Sequence, residues 1–387
     1  MQQRRRVERR ATGCRRRHPL RALGGAPAAV MVLALVLAGR GAAFFALPAA
    51  AAQGTAATQA APTAAPRPIR LVAYGDDESI GGRPLPIIGR MMPNPFLPKL
   101  IEHLWKQAEE IDLILHAGDF VRYDPPESYR DLLRRDDASR LWEKFFPTSG
   151  GDEEYCEGRF AAFFELAEHL RALPHGRDAC AGRDGRPRGG YYYYLERRIR
   201  GQRLVVVVLH NPDQYAAGER RTQCGAEAAC DPLSQRNAQH RWLEETLRAA
   251  RQTDRGGDRA FIILLSHRPL YSATYRRNLI QPLLRRYRVN LVIAGDQHLY
   301  ARKLLDGTLH VISGLAGSLG TGGCHNDFVV GYDRCLPPAE LKYVLGYNPP
   351  EHRYDHYLDL RIFPDHFTLA PTRLGGAAIE GPLRFPR

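Results

Sequence analysis

Six side chains able to bind a metal ion or carry a proton stand at the ends of five apolar runs. They are Asp76 after "IRLVAYG", Asp119 after "IDLILHAG", His210 after "RLVVVVL", His267 after "RAFIILLS", and Asp296 with His298 after "NLVIAG". One Asp after an apolar run is a turn former or a helix cap. A series of them is a site, because the loops at the carboxyl ends of parallel strands converge on one crevice. Carboxylates and imidazoles gathered there suit a pair of divalent cations about 3.5–4 Å apart. One carboxylate can bridge the ions, and a bridging water acidified by both becomes a hydroxide for in-line attack on phosphorus. The chain has no C-x-x-C pair, no G-x-S-x-G elbow and no P-loop. A zinc ribbon, a serine hydrolase and a nucleotide-triphosphate mechanism therefore have no local support.

The elements that must position these groups follow from the same runs. Runs at 69–76, 111–119, 203–211, 259–267, 290–296 and 309–314 are too densely apolar for half-exposed strands and predict strands covered on both faces. Helix-period segments lie between them at 97–110, 159–173, 234–251 and 277–287, with Ser234 as an N-cap. This alternation predicts an α/β fold of mixed or parallel sheets packed with helices. The alternating segment 356–371 predicts a closing hairpin around Pro364 and Asp365. The "YYYYLERRIRG" stretch, 191–201, is read as a strand with two outward faces rather than a base-stacking platform.

The first part of the 387-residue chain has a different composition. "AAVMVLALVLAG" (28–39) is twelve residues, about 18 Å as a helix, short of the roughly 30 Å hydrocarbon core. With the preceding arginines and small residues near Ala52 it predicts an export signal over 1–52, an uncleaved membrane anchor being the alternative. An Ala/Thr/Pro-rich linker over 53–68 and a folded unit over 69–387 follow. Residues 1–52 hold ten arginines against Glu8, so +9 of the formal +13 lies there and +4 remains. That weakens a nucleic-acid reading of the basic balance. Outside the leader six cysteines remain, an even number that suits disulfides in an exported chain. Of fifteen connectivities, the pairs close in sequence are expected: Cys156–Cys180, Cys224–Cys230 and Cys324–Cys335.

The order and spacing of these blocks resemble the calcineurin-like metallophosphoesterases, which include the purple acid phosphatases. "YGDDES" stands where that family has its first Asp motif and "HAGDFVRYD" where it has its second. "PTSGGDEEY" resembles the third, usually Gly-Asn-His then Asp or Glu. "LLSHRPLYS" resembles the His block and "VNLVIAGDQHLYAR" the last, usually Gly-His-x-His-x-Tyr-x-Arg. "SQRNAQHRWLEETL" resembles the helix before the His block. The resemblance implies a four-layer α/β/β/α sandwich of two mixed β-sheets flanked by helices. It implies Asp76 as a terminal ligand, Asp119 as the bridging ligand, and His267 and His298 as further ligands. Asp152 replaces the usual Asn, and Asp296 replaces the first His of the last block. Glu78 takes a place often held by His, and Tyr123 lies one residue beyond the Tyr ligand of the purple acid phosphatases.

These departures shape the expected chemistry. Four aspartates replace a ligand set that usually carries about two negative charges. That should raise the pKa of a bridging water and favour Mn or Fe over Zn, with Mg or Ca also compatible. The leaving-group His becomes Glu153, or Asp152 in the alternative alignment, and a carboxyl there acts as an acid only if its pKa is raised. Arg268, Arg302 and His210 could direct positive charge at a phosphoryl group. The expected function is an exported, monomeric, metal-dependent phosphoesterase acting on phosphate monoesters or diesters. A weakened or non-catalytic binding protein of the same fold is the alternative, and a nuclease-like phosphodiesterase the second. No specific nucleic acid is expected, and membrane contact only through an uncleaved N-terminal segment.

Overall fold

The computed structural model describes residues 67–77, 83–85, 90–92, 96–121, 124–134, 140–150, 154, 158–177, 190–211, 233, 238–254, 258–271, 274–314, 333–336 and 356–387. The expected leader and most of the linker lie outside them. So do Cys156, Cys180, Cys224, Cys230 and Cys324, and the side chain of Cys335. Residues Ala64–Arg387 form one unit. In chain order its first eight strands are β1 (Ile69–Tyr74), β2 (Arg83–Leu85), β3 (Arg90–Met92), β4 (Leu113–His116), β5 (Phe145–Pro147), β6 (His175–Arg177), β7 (Tyr191–Ile199) and β8 (Gln202–Val208). They continue as β9 (Phe261–Ser266), β10 (Leu291–Ala294), β11 (Tyr300–Leu305), β12 (Thr308–Ser313), β13 (Arg334–Leu336), β14 (Tyr357–Ile362), β15 (His366–Thr372) and β16 (Leu383–Pro386).

Two mixed sheets result. One has the order β16-β15-β14-β1-β4-β5, the other β13-β11-β12-β10-β9-β8-β7-β6. In the first, β1, β4 and β5 run parallel. In the second, β8, β9, β10 and β12 run parallel. The strands from the six apolar runs are buried along their full lengths, as a strand covered on both faces must be.

Alternation along those strands separates two cores. Val206, Val208, Ile263, Leu265 and Ile293 share one with Leu71, Leu113 and Leu360 of the first sheet. Val205, Val207, Ile262 and Leu264 face Leu243, Leu247, Ile280 and Leu284 in the other. Those four leucine and isoleucine side chains come from the helices Ala238–Gln252 and Thr274–Arg286. On the first sheet's side, Leu97, Leu100, Ile101 and Leu104 of the helix Phe96–Trp105 complete a four-layer arrangement of helix, sheet, sheet and helix. Among the described residues no helix is long and apolar enough to cross a membrane.

Two helices are shorter than their periodicity predicts. The segment 159–173 divides at Ala167 (φ −89°, ψ 88°) into Arg159–Leu166 and Glu168–Arg171. The break turns His169 towards the carbonyl of Phe145, 2.9 Å away. The first helix stops at Trp105, because Gln107 and Glu110 turn back to Arg70, at 2.6 and 2.8 Å.

Candidate metal centre

β1, β4, β9 and β10 end at the same side of the sandwich, and each is followed within three residues by an Asp or a His. Asp76, Asp119 and Asp296 have φ of 59°, 58° and 66°, three of the seven non-glycine residues with positive φ among the described residues. An L-residue in this left-handed region costs about 1 kcal/mol, least for Asp and Asn, so the strain is gathered where function requires it. Each carboxylate thereby turns off the strand axis into the shared crevice.

Close backbone approach makes that crevice. A Cβ on Gly295 would lie 2.3 Å from an Asp76 carboxylate oxygen, so this glycine brings β10 of one sheet onto the ligand carried by the other. A Cβ on Gly150 would lie 2.1 Å from Oδ1 of Asp119. Only glycine allows either contact. The Asp76 N–H donates to the Gly118 carbonyl at 3.0 Å and the Asp296 N–H to Asp76 Oδ1 at 2.9 Å, pinning the three strand ends together.

Asp76, Asp119 and His267 each place one ligand atom within 4.8 Å of the others, and all three are buried. His267 Nε2 lies 3.7 Å from Asp119 Oδ1 and 3.9 Å from Asp296 Oδ1. His298 Nε2 lies 3.6 Å from Asp76 Oδ1. The His267 tautomer follows from its neighbour. Nδ1 is 2.8 Å from the carbonyl of Ala117, which only accepts, so Nδ1 carries the hydrogen. In the neutral ring the Nε2 lone pair then faces two carboxylates, an arrangement that a cation between them turns from repulsive to attractive. The donors present therefore fit a metal ion.

Asp296 differs from the other two carboxylates. Its Oδ2 accepts from Gln297 Nε2 at 2.5 Å, and its Oδ1 stands 3.6 Å from Arg268 Nε. Arg268 thus belongs to the cluster, beside Asp296. Two other expected substrate contacts are placed differently. Arg302 is held by Glu380, Nε to Oε1 at 2.7 Å. His210 is fully buried, 2.6 Å from Ser149 Oγ, and its backbone is gripped by the Gln239 side chain. Burial pulls its pKa down to about 3, so its ring is neutral and the positive charge expected of it is absent. Glu78, Tyr123, Asp152 and Glu153 lie outside the described residues.

Two supports of the cluster were not expected from sequence. Glu154 is fully buried and accepts three backbone N–H groups, those of Phe120, of Val121 at 2.6 Å and of Gly150 at 2.6 Å. It thereby ties the two residues after Asp119 to Gly150, which packs against Asp119. Burial, with the Asp119 charge adding, pushes the Glu154 carboxyl up to about 8 against the pull of those three donors. The second support is Asp77, buried beside Asp76. Its Oδ2 accepts from Tyr129 at 2.6 Å and lies 3.2 Å from His116 Nε2. His116 Nδ1 accepts the Gly118 N–H at 3.1 Å, so its hydrogen is on Nε2 and is donated to Asp77. The signal for both was adjacency, an extra acid directly after a motif acid, which alone does not distinguish a ligand from a brace.

Parallel strands from two sheets delivering Asp and His to one crevice define a metal-dependent hydrolase architecture, and the family model of the calcineurin-like phosphoesterases matches residues 94–300. The chain belongs to that family. The fold is similar to purple acid phosphatase PPD1 from yellow lupin (Lupinus luteus) seeds, with a TM-score of 0.52 at 15% identity over 82% of this chain and 54% of that one. The chain thus spans about half the length of the lupin protein. GAP50, the anchor in the inner membrane complex of Plasmodium, aligns with a TM-score of 0.48 at 13% identity over 83% of this chain and 89% of that one. The calcineurin-like phosphoesterase YfkN from Bacillus subtilis aligns at 0.38 and 12% identity over 65% and 82%. No curated protein sequence matches the chain.

Proposed function

We propose that the chain is an exported phosphoesterase that hydrolyses phosphate monoesters or diesters at a dinuclear metal centre. The observation that carries this reading is the buried meeting of Asp76, Asp119 and His267 at the ends of strands from both sheets. Asp119, the bridging ligand that the family resemblance implies, would be shared by two ions, with Asp76 and His298 serving one and His267 the other. Such a centre supplies an activated water and a Lewis acid for a phosphoryl oxygen. The chain's own contribution is to hold its donors rigid: the Ala117 carbonyl fixes the His267 ring, Glu154 fixes the backbone after Asp119, and Tyr129 and His116 fix Asp77, the residue after Asp76. Arg268, beside Asp296, is positioned to add positive charge at the rim. Asp152 or Glu153 is assigned the leaving-group proton on the sequence alone. The oxygen-rich donor set favours Mn or Fe.

Activity against chromogenic phosphate monoesters and diesters, screened with Mn, Fe, Zn and Mg, tests the reading. Turnover that Asp119→Asn abolishes supports it, and metal binding without turnover on any ester overturns it. Metal analysis of protein purified without added metal tests the metal assignment, which stoichiometric zinc alone would sink. A uniquely processed N-terminus near residue 52, found by sequencing exported material, tests export. One observation favours a second reading, a binding protein with a single weakened metal position: Asp296 is already engaged by Arg268 and Gln297, which compete with a cation for its oxygens. A metal stoichiometry of one per chain together with absent turnover would select it.

A further inference from the structure

We propose that a shallow cavity at the opposite end of the sandwich binds a phosphate-type oxyanion, free or carried by a small soluble molecule. The cavity encloses about 430 Å³ and is lined by Arg198, Arg200, Gln202, Asp258, Arg259 and Arg387 among others. These residues come from the β7–β8 turn, the approach to β9 and the C-terminal segment. Arg259 and His267 bracket β9, eight residues apart, which is about 26 Å of extended chain. An anion in this cavity therefore cannot touch the metal centre.

The charges here are unequally matched. Arg198 pairs with Asp258, and Arg200 takes both oxygens of Asp112 at 2.6 and 2.9 Å. Asp254 is committed to Arg203 at 3.0 Å, to Arg251 at 3.1 Å and to the Ala260 N–H at 3.0 Å. Neither Arg259 nor Arg387 forms an ion pair among the described residues, although Asp254 attracts both from a distance and Asp258 attracts Arg387. Arg387 donates instead to Gln202 Oε1 at 2.9 Å and to the carbonyls of Arg203 and Arg259, while its buried Nε–H has no partner. Burial and then the Arg288 charge hold the Arg259 guanidinium below its ordinary range, and burial and then Arg259 do the same to Arg387. Guanidinium groups stay charged at any physiological pH, so the repulsion is relieved by an anion rather than by loss of a proton. An oxyanion with several acceptor oxygens matches the forked N–H geometry of Arg259 and takes charge-assisted hydrogen bonds from it. Arg387, whose terminal N–H groups serve Gln202 and backbone carbonyls, adds its charge beside the ligand.

The test is titration calorimetry of the full chain in chelator, with inorganic phosphate and separately with glycerol 3-phosphate, against chloride at matched ionic strength. Wild type and Asp119→Asn should both bind. Arg259→Gln should weaken binding on the order of tenfold, the loss of one charge-assisted contact. Because the Arg259 side chain makes no hydrogen bond among the described residues, that variant should melt like wild type. Arg387→Gln should weaken binding as well, and if it fails to fold Arg259→Gln still decides the matter. Tighter binding of the ester than of phosphate would assign the cavity to an esterified ligand, and the reverse to the free ion. No binding by wild type, undiminished binding by Arg259→Gln, or loss of all binding in Asp119→Asn would each overturn the proposal.

Discussion

The two ends of the sandwich carry opposite charge and handle it differently. At the carboxyl ends of the parallel strands, Asp76, Asp77, Asp119 and Glu154 are buried within a few ångströms of one another's backbone. The groups that approach them include imidazoles, a hydroxyl and backbone N–H groups, and Arg268 stands beside Asp296. At the other end arginines predominate; Asp258 and Asp112 each take one, and Asp254 takes two, Arg203 and Arg251. Like charges are costly to gather in a medium of low dielectric. The acidic end bears that cost with strained aspartates and a buried brace, and its geometry converges on one point. The basic end is shallower, and its surplus is confined to Arg259 and Arg387. A charge cluster that the fold rigidifies from behind is built for a ligand of fixed geometry. One held by side-chain pairs, without a brace behind it, tolerates a looser occupant.

The largest expected effect breaks the acidic end. Asp119→Asn should lower kcat/KM on the order of 10³-fold, since it removes several kcal/mol of charge stabilisation at about 1.4 kcal/mol per tenfold. The fold should survive, because the change relieves charge without changing shape. Metal added to wild type should raise the melting temperature, by an amount equivalent to about 2.7 kcal/mol at a hundredfold excess over Kd, and should do less for Asp119→Asn. A variant with wild-type turnover would remove Asp119 from the centre.

Next in size is the brace. Glu154→Gln presents one carbonyl oxygen where two oxygens now serve three N–H donors, so at least one buried N–H loses its partner. The expected cost is about 1–3 kcal/mol in denaturant midpoint, with metal affinity falling about 10–100-fold. If stability falls and metal affinity does not, Glu154 supports the fold alone and the contrast between the two ends is weaker.

How far this was legible in the sequence depends on the reach of each interaction. Asp76, Asp119, His267 and Asp296 could be found because each follows an apolar run, and a run dense enough for a doubly covered strand has a definite carboxyl end. The four-layer arrangement followed from the same runs together with the family resemblance. Glu154, Asp77 and His116 were hidden inside motif blocks, where no periodicity tells which of several adjacent acids turns inward. The break at Ala167 is set by tertiary contacts of His169 and Leu170, which local helix propensity does not register. The short strands β5, β6 and β13 have three residues each, too few for alternation to show. The basic cavity is assembled from residues 198, 200–202, 258–259, 364 and 387, and only the folded chain brings them together.

A smaller effect concerns the ground between the ends. His310 on β12 is buried with neither ring nitrogen bonded, and burial, with Lys303 adding, pulls its pKa down to about 4. Its folded-state pKa lies below the unfolded value near 6.5, so the neutral ring favours the fold above about pH 6.5. That contribution is lost as pH falls towards 4, at up to about 1.4 kcal/mol per pH unit. His210, pulled down to about 3, adds a loss of the same sign that continues lower. His310→Leu should therefore stabilise the protein at neutral pH, by removing two unbonded buried nitrogens, and should flatten the acid limb of a urea-midpoint profile between pH 6.5 and 4. An unchanged slope would mean that His310 finds a proton acceptor on acidification.

The smallest effect sharpens the reading of the basic end. Arg200 meets Asp112 through two bonds, and both side chains are largely covered, 27% and 15% exposed, whereas Arg198 is 57% exposed against Asp258. A two-bond, half-buried pair keeps its geometry at little further entropic cost, while an exposed pair is screened and gains almost nothing. Arg200→Gln should cost about 1 kcal/mol in urea midpoint, and Arg198→Gln should not shift it measurably. Raising salt to 1 M should not close the gap, because the Debye length of about 3 Å screens the exposed pair far more than the covered one. Should Arg198→Gln cost as much as Arg200→Gln, the arginines at this end would be a scaffold locked by its own acids. The surplus at Arg259 and Arg387 would then be the edge of that scaffold, and the case for an anion in the cavity would rest on calorimetry alone.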